Sequence, residues 1–263
     1  MLALALELRC VVDASPDDLW SVRHVGPEYP LRHFDSVLEA ARRAVGEGRP
    51  LSLVVDNRIP IGRGLGSSAA AAVAGAAAAW RAVGEEAHDR ALFELAADME
   101  QHPDNAAAAV YGGLVLCTPD GEVHRLPLRP GLVPILAIPD RGLATTDARA
   151  ALPDVVTREI AVRSLGRLAA LVGGLLLSDG VLLASAHGDE LHQDPRNRLR
   201  PEVEHLIETA RSAGALHACW SGAGPSVLAL SEPETVVKVK AALEGSLSGG
   251  RVLELRMASS GLV

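Results

Sequence analysis

Aromatic side chains are scarce in this sequence: two phenylalanines, two tyrosines and three tryptophans make up 3% of 263 residues. That argues against the base-stacking platforms of single-strand nucleic-acid binders, and a bound purine would sit between aliphatic walls. Cysteine is scarce as well. Cys10, Cys117 and Cys219 are widely spaced, odd in number and set among apolar residues, which suggests neither a disulfide framework nor a zinc knuckle and fits a reducing compartment. Positive charge is in deficit: 25 Lys and Arg against 33 Asp and Glu leave a formal charge of −8. A broad surface for nucleic acid or anionic membrane is therefore not expected, and an anionic ligand has to be held locally. The opening residues lack the basic start, long apolar run and small-residue cleavage site of a secretory signal. The most apolar stretch, residues 69–80, covers about 12 residues where about 18 are needed to span a bilayer. The expectation is a cytoplasmic protein.

With 48% hydrophobic and 22% charged residues, the chain has the composition of a globular protein, long enough for one large domain or two ordinary ones. Leu2, Leu4, Leu6 and Leu8 alternate with Ala3, Ala5, Glu7 and Arg9, the period-two pattern of a strand with one buried face. The chain thus starts inside a strand, without the few polar residues that usually precede a first element, and reads as cut at that end. A helix is expected over residues 34–45, a strand over 51–55, an alanine-rich helix from about Ser68 and another over 89–99. A small-residue helix follows His102-Pro-Asp-Asn105, then strands at 113–117 and 122–128. Strand 133–139 opens a second half, with helices over 147–151, 158–177, 201–213 and 235–244, a strand pair around Ser221-Gly-Ala-Gly-Pro-Ser226, and a last strand over 251–257. This mixed order implies an α+β fold in two halves, 1–130 and 131–263.

The strongest local signal is Pro60-Ile61-Gly62-Arg63-Gly64-Leu65-Gly66-Ser67-Ser68-Ala69-Ala70, between a strand and a helix. Glycines at alternate positions remove the Cβ atoms that would hold a phosphate off the backbone, and they permit positive φ. The helix that follows adds unpaired N–H groups and the positive end of its dipole. Ser67 and Ser68 bring hydroxyls suited to a phosphate oxygen or Mg²⁺. A plain glycine turn with a serine cap is the alternative. The spacing fits neither Walker A nor G-x-G-x-x-G, so another phosphate-loop class is required.

The segment Gly62-Arg-Gly-Leu-Gly-Ser-Ser-Ala resembles the second signature of the GHMP kinases, which include the galactokinases, homoserine kinases and mevalonate kinases. Glu100-Gln-His102-Pro-Asp104-Asn105-Ala, followed by Val110-Tyr-Gly-Gly, is similar to homoserine kinases in particular, and Ser221-Gly-Ala-Gly-Pro-Ser226 resembles the third signature. The resemblance implies a two-domain GHMP kinase fold. Its N-terminal, ATP-binding half would be like domain 2 of ribosomal protein S5, and its C-terminal half ferredoxin-like. It also implies ATP-dependent phosphorylation of the side-chain hydroxyl of L-homoserine in threonine biosynthesis. Residues 60–70 would hold ATP, and Ser68 with Glu94 would hold Mg²⁺; from periodicity alone Glu94 is simply a residue on a polar helix face.

On the same resemblance Asp104 contacts the substrate's amino group, Asn105 lies by the accepting hydroxyl and His102 lines the pocket. An Asn beside the hydroxyl implies transfer by orientation, without a strong general base. Thr145-Thr-Asp-Ala-Arg149 and His192-Gln-Asp-Pro-Arg196 are similar to further family segments, so that Thr145, Arg149 and Arg196 become substrate residues, with Arg149 also catalytic. A guanidinium matches a carboxylate with two parallel hydrogen bonds; taken singly, either arginine is more often a surface residue. The turn at 221–226 is expected to pack against the phosphate loop and to bring Gly222 to the site, a mere hairpin turn being the alternative. The family's first signature, similar to Pro-Ala-Ser-Ser-Ala-Asn-Leu-Gly-Pro-Gly-Phe-Asp, would lie before Met1. The expectation is a start assigned too late, and a truncated nucleotide-binding protein without activity is one alternative. Another GHMP kinase, acting on a mevalonate-like or sugar substrate, is a second. The partners that follow are a small-molecule substrate, neither nucleic acid nor membrane, and, as one option, a second copy of the chain.

Overall fold

The computed structural model describes residues 1–28, 35–100, 102–128 and 131–263. It divides into two compact units, the first made of residues 1–61, 66–126 and 257–263, the second of residues 62–65 and 127–256. The break expected near residue 130 thus falls after Leu126. Two short segments belong to the half opposite the one their position suggests: the middle of the glycine-rich loop to the second unit and the C-terminal tail to the first.

Among the described residues the first unit holds two three-stranded sheets and four helices. In one sheet β2 (Cys10–Pro16) runs antiparallel and β3 (Ser21–His24) parallel to the central β4 (Leu51–Asn57). In the other, β1 (Leu2–Leu4), β5 (Leu114–Cys117) and β6 (Val123–Leu126) form an antiparallel meander in the order β1-β5-β6. The first strand is shorter than the leucine alternation predicts. The amide of Leu8 turns back to the carbonyl of Leu6, an i→i+2 turn that breaks the ladder, and Leu6 is left in an isolated bridge to Met257. The chain then enters the other sheet as β2, which, like β3, has no counterpart in the pattern reading. Along β4 the residues Leu51, Leu53, Val55 and Asn57 are buried in strict alternation, as a strand with one core face requires.

Helix α1 (Ser36–Val45) is capped by Asp35, whose carboxylate accepts from the amides of Val37 and Leu38; the start expected at residue 34 lies outside the described residues. Helices α2 (Ser67–Ala82), α3 (Asp89–Glu100) and α4 (Pro103–Tyr111) follow. Helix α2 is the pivot of the unit. Ala72, Val73, Ala76 and Ala77 join one apolar cluster with Leu92, Phe93, Ala106 and Val115, while Ala71 and Ala79 join another with Leu51, Leu53, Val55 and Val37. A helix covered on both sides is apolar all round, and alanine lets its neighbours come close. At Gly75 a Cβ would lie 2.5 Å from the carbonyl oxygen of Val37, so α1 and α2 approach backbone to backbone there.

The second unit is one antiparallel sheet of four strands in the order β10-β7-β9-β8. These are β7 (Val133–Pro139), β8 (His217–Trp220), β9 (Val227–Ser231) and β10 (Gly250–Glu254). Helices α9 (Pro201–Ser212) and α10 (Val236–Ser246) cover it through Val203, Leu206, Ile207, Val239 and Leu243. With helices after β7 and β9, this order is that of a ferredoxin-like sheet, as expected. The long connection from β7 to β8 carries α5 (Thr145–Ala150), α6 (Arg158–Leu177), α7 (Gly180–Ser185) and α8 (Gln193–Asn197). Helix α6 corrects one sequence expectation. It, and not the alanine run of α2, is long and apolar enough to cross a membrane by length and composition alone.

Two buried groups generate predictions. Gly75→Ala should destabilise the chain by about 2 kcal/mol, because overpacking against a carbonyl exceeds the helix-propensity gain of about 1 kcal/mol. A denaturation midpoint equal to or above wild type would contradict this. His187 and His217 stack with centroids 4.9 Å apart, and the Nδ1–H of His217 donates to the carbonyl of Leu183 at 3.2 Å. Burial, reinforced by His187, pushes the pKa of His217 down to about 4, and burial lowers that of His187 too. The unfolded chain therefore binds protons that the native chain refuses once the pH falls below about 6.5. Stability should be flat above that value and fall by about 3 kcal/mol for His217 as the pH drops toward 4. The measurement is urea denaturation across that range, and a His217→Gln variant should lose most of the slope.

Candidate active site

The glycine-rich loop takes the conformation that its residues permit. Gly62, Gly64 and Gly66 have φ of +66°, +72° and +70°, values at which a side chain would be strained. Gly66 occupies the N-cap of α2 and, lacking a side chain, leaves the helix without a side-chain cap. The first intrahelical bond runs from Ala70 N–H to Gly66 C=O, so the amides of Ser67, Ser68 and Ala69 head a 16-residue helix at the positive end of its dipole, with no side-chain cap. This is an anion cradle of backbone donors.

The two serines divide their work, which corrects the expectation that both hydroxyls serve a ligand. Ser67 is buried; its Oγ donates to the carbonyl of Ile59 at 3.0 Å and accepts from Nδ2 of Asn57 at 3.0 Å. It anchors the loop, and only its amide is available. The Oγ of Ser68 donates to Oε1 of Glu100 at 2.6 Å and lies 2.9 Å from Oγ of Ser36. Glu94, expected to share a metal with Ser68, is instead exposed and paired with Arg90 at 2.6 Å. The carboxylate beside Ser68 comes from the last residue of α3, because Glu94 sits six positions earlier on the outer side of that helix. Glu100 was legible as the acid directly before Gln-His-Pro-Asp-Asn; Ser36, at the start of α1, carries no motif. Among the described residues no group of three or more His, Cys, Asp or Glu side chains could hold a metal. A pair of hard oxygens from Ser68 and Glu100 does suit Mg²⁺, which takes few protein ligands and completes its shell with water and phosphate oxygens.

Helix α4 brings the other polar groups of the first unit to the same helix end. Pro103 occupies its first turn after His102, so Asp104 and Asn105 fall in that turn. A Cβ placed on Gly66 would lie 3.7 Å from the amide group of Asn105; the side chain of Asn105 thus stands beside the uncapped start of α2. Oδ1 of Asp104 is buried and has no hydrogen-bond partner, an unusual state for a carboxylate oxygen and one that invites a cationic or N–H donor. Pro60 and Ile61 close the loop's first side, with the Ile61 amide donating to Glu28 at 3.2 Å.

In the second unit residues 62–65 pack on the turn after β8, as expected. Ser221 Oγ donates to the carbonyl of Gly64 at 2.9 Å, and a Cβ on Gly64 would stand 2.0 Å from the Ser221 carbonyl oxygen. The guanidinium of Arg63 donates to the carbonyls of Pro139 and Asp140, and Leu65 completes the loop. Arg196, on α8, is buried, with its guanidinium donating to the carbonyls of Gly222 at 3.0 Å and Ala148 at 3.3 Å. Burial first, then the charge of Arg149, pulls its pKa below the usual arginine value, opposed by Asp189. The structure therefore sets Arg149, Arg196 and Gly222 in one neighbourhood. Thr145 and Arg149 are both exposed on α5, which places them at a surface of this unit.

A glycine-lined anion cradle before an alanine helix, an acid at its serine and a glycine turn on the loop are the parts of a phosphoryl-transfer site. Family models agree, GHMP kinases N terminal domain matching residues 32–113 and GHMP kinases C terminal matching residues 162–248. The chain belongs to the GHMP kinase family, whose members use ATP as phosphate donor. Within that family it is similar to homoserine kinases. It is 40% identical over 245 residues to the homoserine kinase of Clavibacter michiganensis, covering 88% of this chain and 77% of that protein. It is 42% identical over 183 residues to that of Moorella thermoacetica, covering 68% of this chain and 62% of that one. A homoserine kinase structure from Cytophaga hutchinsonii superposes with a TM-score of 0.88 at 28% identity, over 99% of this chain and 90% of that one. An L. major mevalonate kinase shares the fold, with a TM-score of 0.78 at 17% identity over 98% and 90% of the two chains.

The reassignment of the acid is testable. Glu100→Gln should raise the Mg²⁺ concentration for half-maximal ADP release at least tenfold, whereas Glu94→Gln should change it less than twofold. The reverse ranking would restore Glu94.

Proposed function

We propose that this chain is a kinase that transfers the γ-phosphoryl group of ATP to the side-chain hydroxyl of L-homoserine, in threonine biosynthesis and in the cytoplasm. The observation that carries the amino-acid assignment is the buried, unpartnered Oδ1 of Asp104. A substrate ammonium would satisfy that oxygen; a mevalonate or a sugar has no such group to offer. The 40% identity to a homoserine kinase over most of the chain supports the same reading.

In this reading the amides of Ser67, Ser68 and Ala69 bind the polyphosphate through backbone donors that are fixed before the ligand arrives, with no reorganisation during reaction. Ser68 and Glu100 would hold Mg²⁺, which supplies charge neutralisation on the phosphates. Asn105, beside the α2 start, would orient the accepting hydroxyl. It is too weak a base to remove the hydroxyl proton before transfer, so that proton passes to solvent as the new O–P bond forms and the bond from the γ-phosphorus to the bridging oxygen of ADP breaks, and the rate rests on alignment. From the second unit Arg149 and Arg196 are the candidates for the substrate carboxylate, and Arg196, buried with only carbonyl acceptors, is the better placed to favour an anion. Thr145, His102 and Gly222 are assigned as further substrate contacts.

The test is a coupled ADP-release assay with L-homoserine and with its deaminated analogue, 4-hydroxybutanoate. Homoserine should be preferred by at least a hundredfold in kcat/KM. Asp104→Asn should remove most of that preference, since a charge-assisted bond to a buried carboxylate contributes about 2–3 kcal/mol. Absence of homoserine-dependent turnover, or an unaltered preference in the variant, would overturn the assignment.

A further inference from the structure

The hydroxyls of the two serines that open α2 are both engaged inside the chain, and both trace back to the sheet built on β4. Ser67 is held by Asn57, the last residue of β4. Ser68 is reached from the neighbouring strand. There His24, the last residue of β3, stands opposite Val55, two positions before Asn57. Its Nε2 lies 2.6 Å from Oδ2 of Asp35. The other carboxylate oxygen of Asp35 accepts from the amides of Val37 and Leu38 at 2.9 and 3.2 Å. Asp35 thus accepts at both oxygens, and the imidazole is the donor. Nδ1 of the ring is buried without a hydrogen-bond partner, so Asp35 is the ring's one polar contact among the described residues.

That pair fixes the first turn of α1. Ser36 is its first residue, and the two hydroxyl oxygens of Ser36 and Ser68 are 2.9 Å apart. The direction of their bond is forced. Ser68 has a single hydroxyl proton and gives it to Oε1 of Glu100 at 2.6 Å, so Ser36 donates and Ser68 accepts. An oxygen that donates to Glu100 and accepts from Ser36 keeps one lone pair, whose direction those two bonds determine. Two turns further along the same face of α2, the backbone of Val37 closes on Gly75. Packing at Gly75 sets how near the helices come, and the cap at Asp35 sets where Ser36 points.

We propose that His24 and Ser36 are positioning residues for the nucleotide cradle, an assignment that rests on the proposed ATP site at the start of α2. His24 orients the Asp35 cap, the cap orients Ser36, and Ser36 presents the remaining lone pair of Ser68 to Mg²⁺ and nucleotide. A cap that served only the stability of α1 would be complete with its two amides. The third bond, from a buried imidazole, fixes the plane of the carboxylate, and with it the residue that follows. Without that link Ser68 can turn about its Cα–Cβ bond, and ordering it again weakens binding.

The experiment is titration calorimetry of the full chain with Mg²⁺ and a non-hydrolysable ATP analogue, beside steady-state ADP release. His24→Leu keeps the bulk of the ring without its donor. This variant and Ser36→Ala should each weaken analogue binding and raise the KM for ATP about tenfold, the effect of one lost hydrogen bond. The kcat and the KM for L-homoserine should change less than about twofold, because neither residue acts on the acceptor. His24→Gln, whose amide N–H reaches the place of Nε2, should recover most of the loss. Since His24 acts through Ser36, the double variant His24→Leu with Ser36→Ala should bind no worse than Ser36→Ala alone, whereas two separate structural losses would add. Additive losses, a single variant that binds like wild type, or a His24→Gln variant no better than His24→Leu would each overturn the proposal and leave the ATP site standing. A wild-type chain that binds no analogue would overturn the ATP site and the proposal with it.

Discussion

The start of α2 is the constraint on which the first unit depends. Helix amides that no side chain caps are a cost in a protein without a ligand, and here they are kept open by placing glycine at the N-cap and diverting the Ser67 hydroxyl into the loop anchor with Asn57 and Ile59. A cap supplied by the chain would have stabilised the helix and filled the cradle. The helix can do without one because its stability comes from elsewhere: it lies between two apolar clusters, and its burial replaces what the cap would contribute.

From that constraint the neighbouring features follow. Close packing of α1, α3 and α4 around an alanine surface brings Ser36, Glu100 and Asn105 to one helix end. Larger side chains on α2 would hold those helices apart by more than the reach of a hydrogen bond. In the second unit the same economy of side chains recurs in the turn after β8. There Gly64 and Ser221 meet without room for a Cβ, and the buried Arg196 binds a glycine carbonyl of that turn. Both units use absence of side chain to bring backbone donors and acceptors within reach, which is what binding a phosphate through the main chain demands.

The acidic net charge of the chain fits this design. With −8 overall, a diffuse field does not draw in an anion, and the oriented amides at the start of α2 are the local donors that the first unit offers to one. The long helix α6 is a separate feature. It lies on the long connection from β7 to β8, an insertion that the four-stranded sheet does not need for its own core, since α9 and α10 already cover that sheet.

The sequence by itself determined the elements whose signals are local. Periodicity gives β4, β7, α6 and the helix after Pro103 close to their observed bounds. The alternate glycines carry positive φ because only glycine adopts it without strain, and the paired serines, His-Pro-Asp-Asn and glycine turn mark the site in the chain. What no local signal contained was which carboxylate reaches Ser68. Glu94 and Glu100 lie on one helix, and the choice depends on the angle at which α3 crosses α2. Likewise β2 and β3 pair on the two edges of β4, and Leu6, beyond the end of β1, bridges to Met257 across the length of the chain. Tertiary packing decided these, because a hydrogen bond or a strand pairing between residues far apart in sequence is set by the backbones around it and not by the residues that make it.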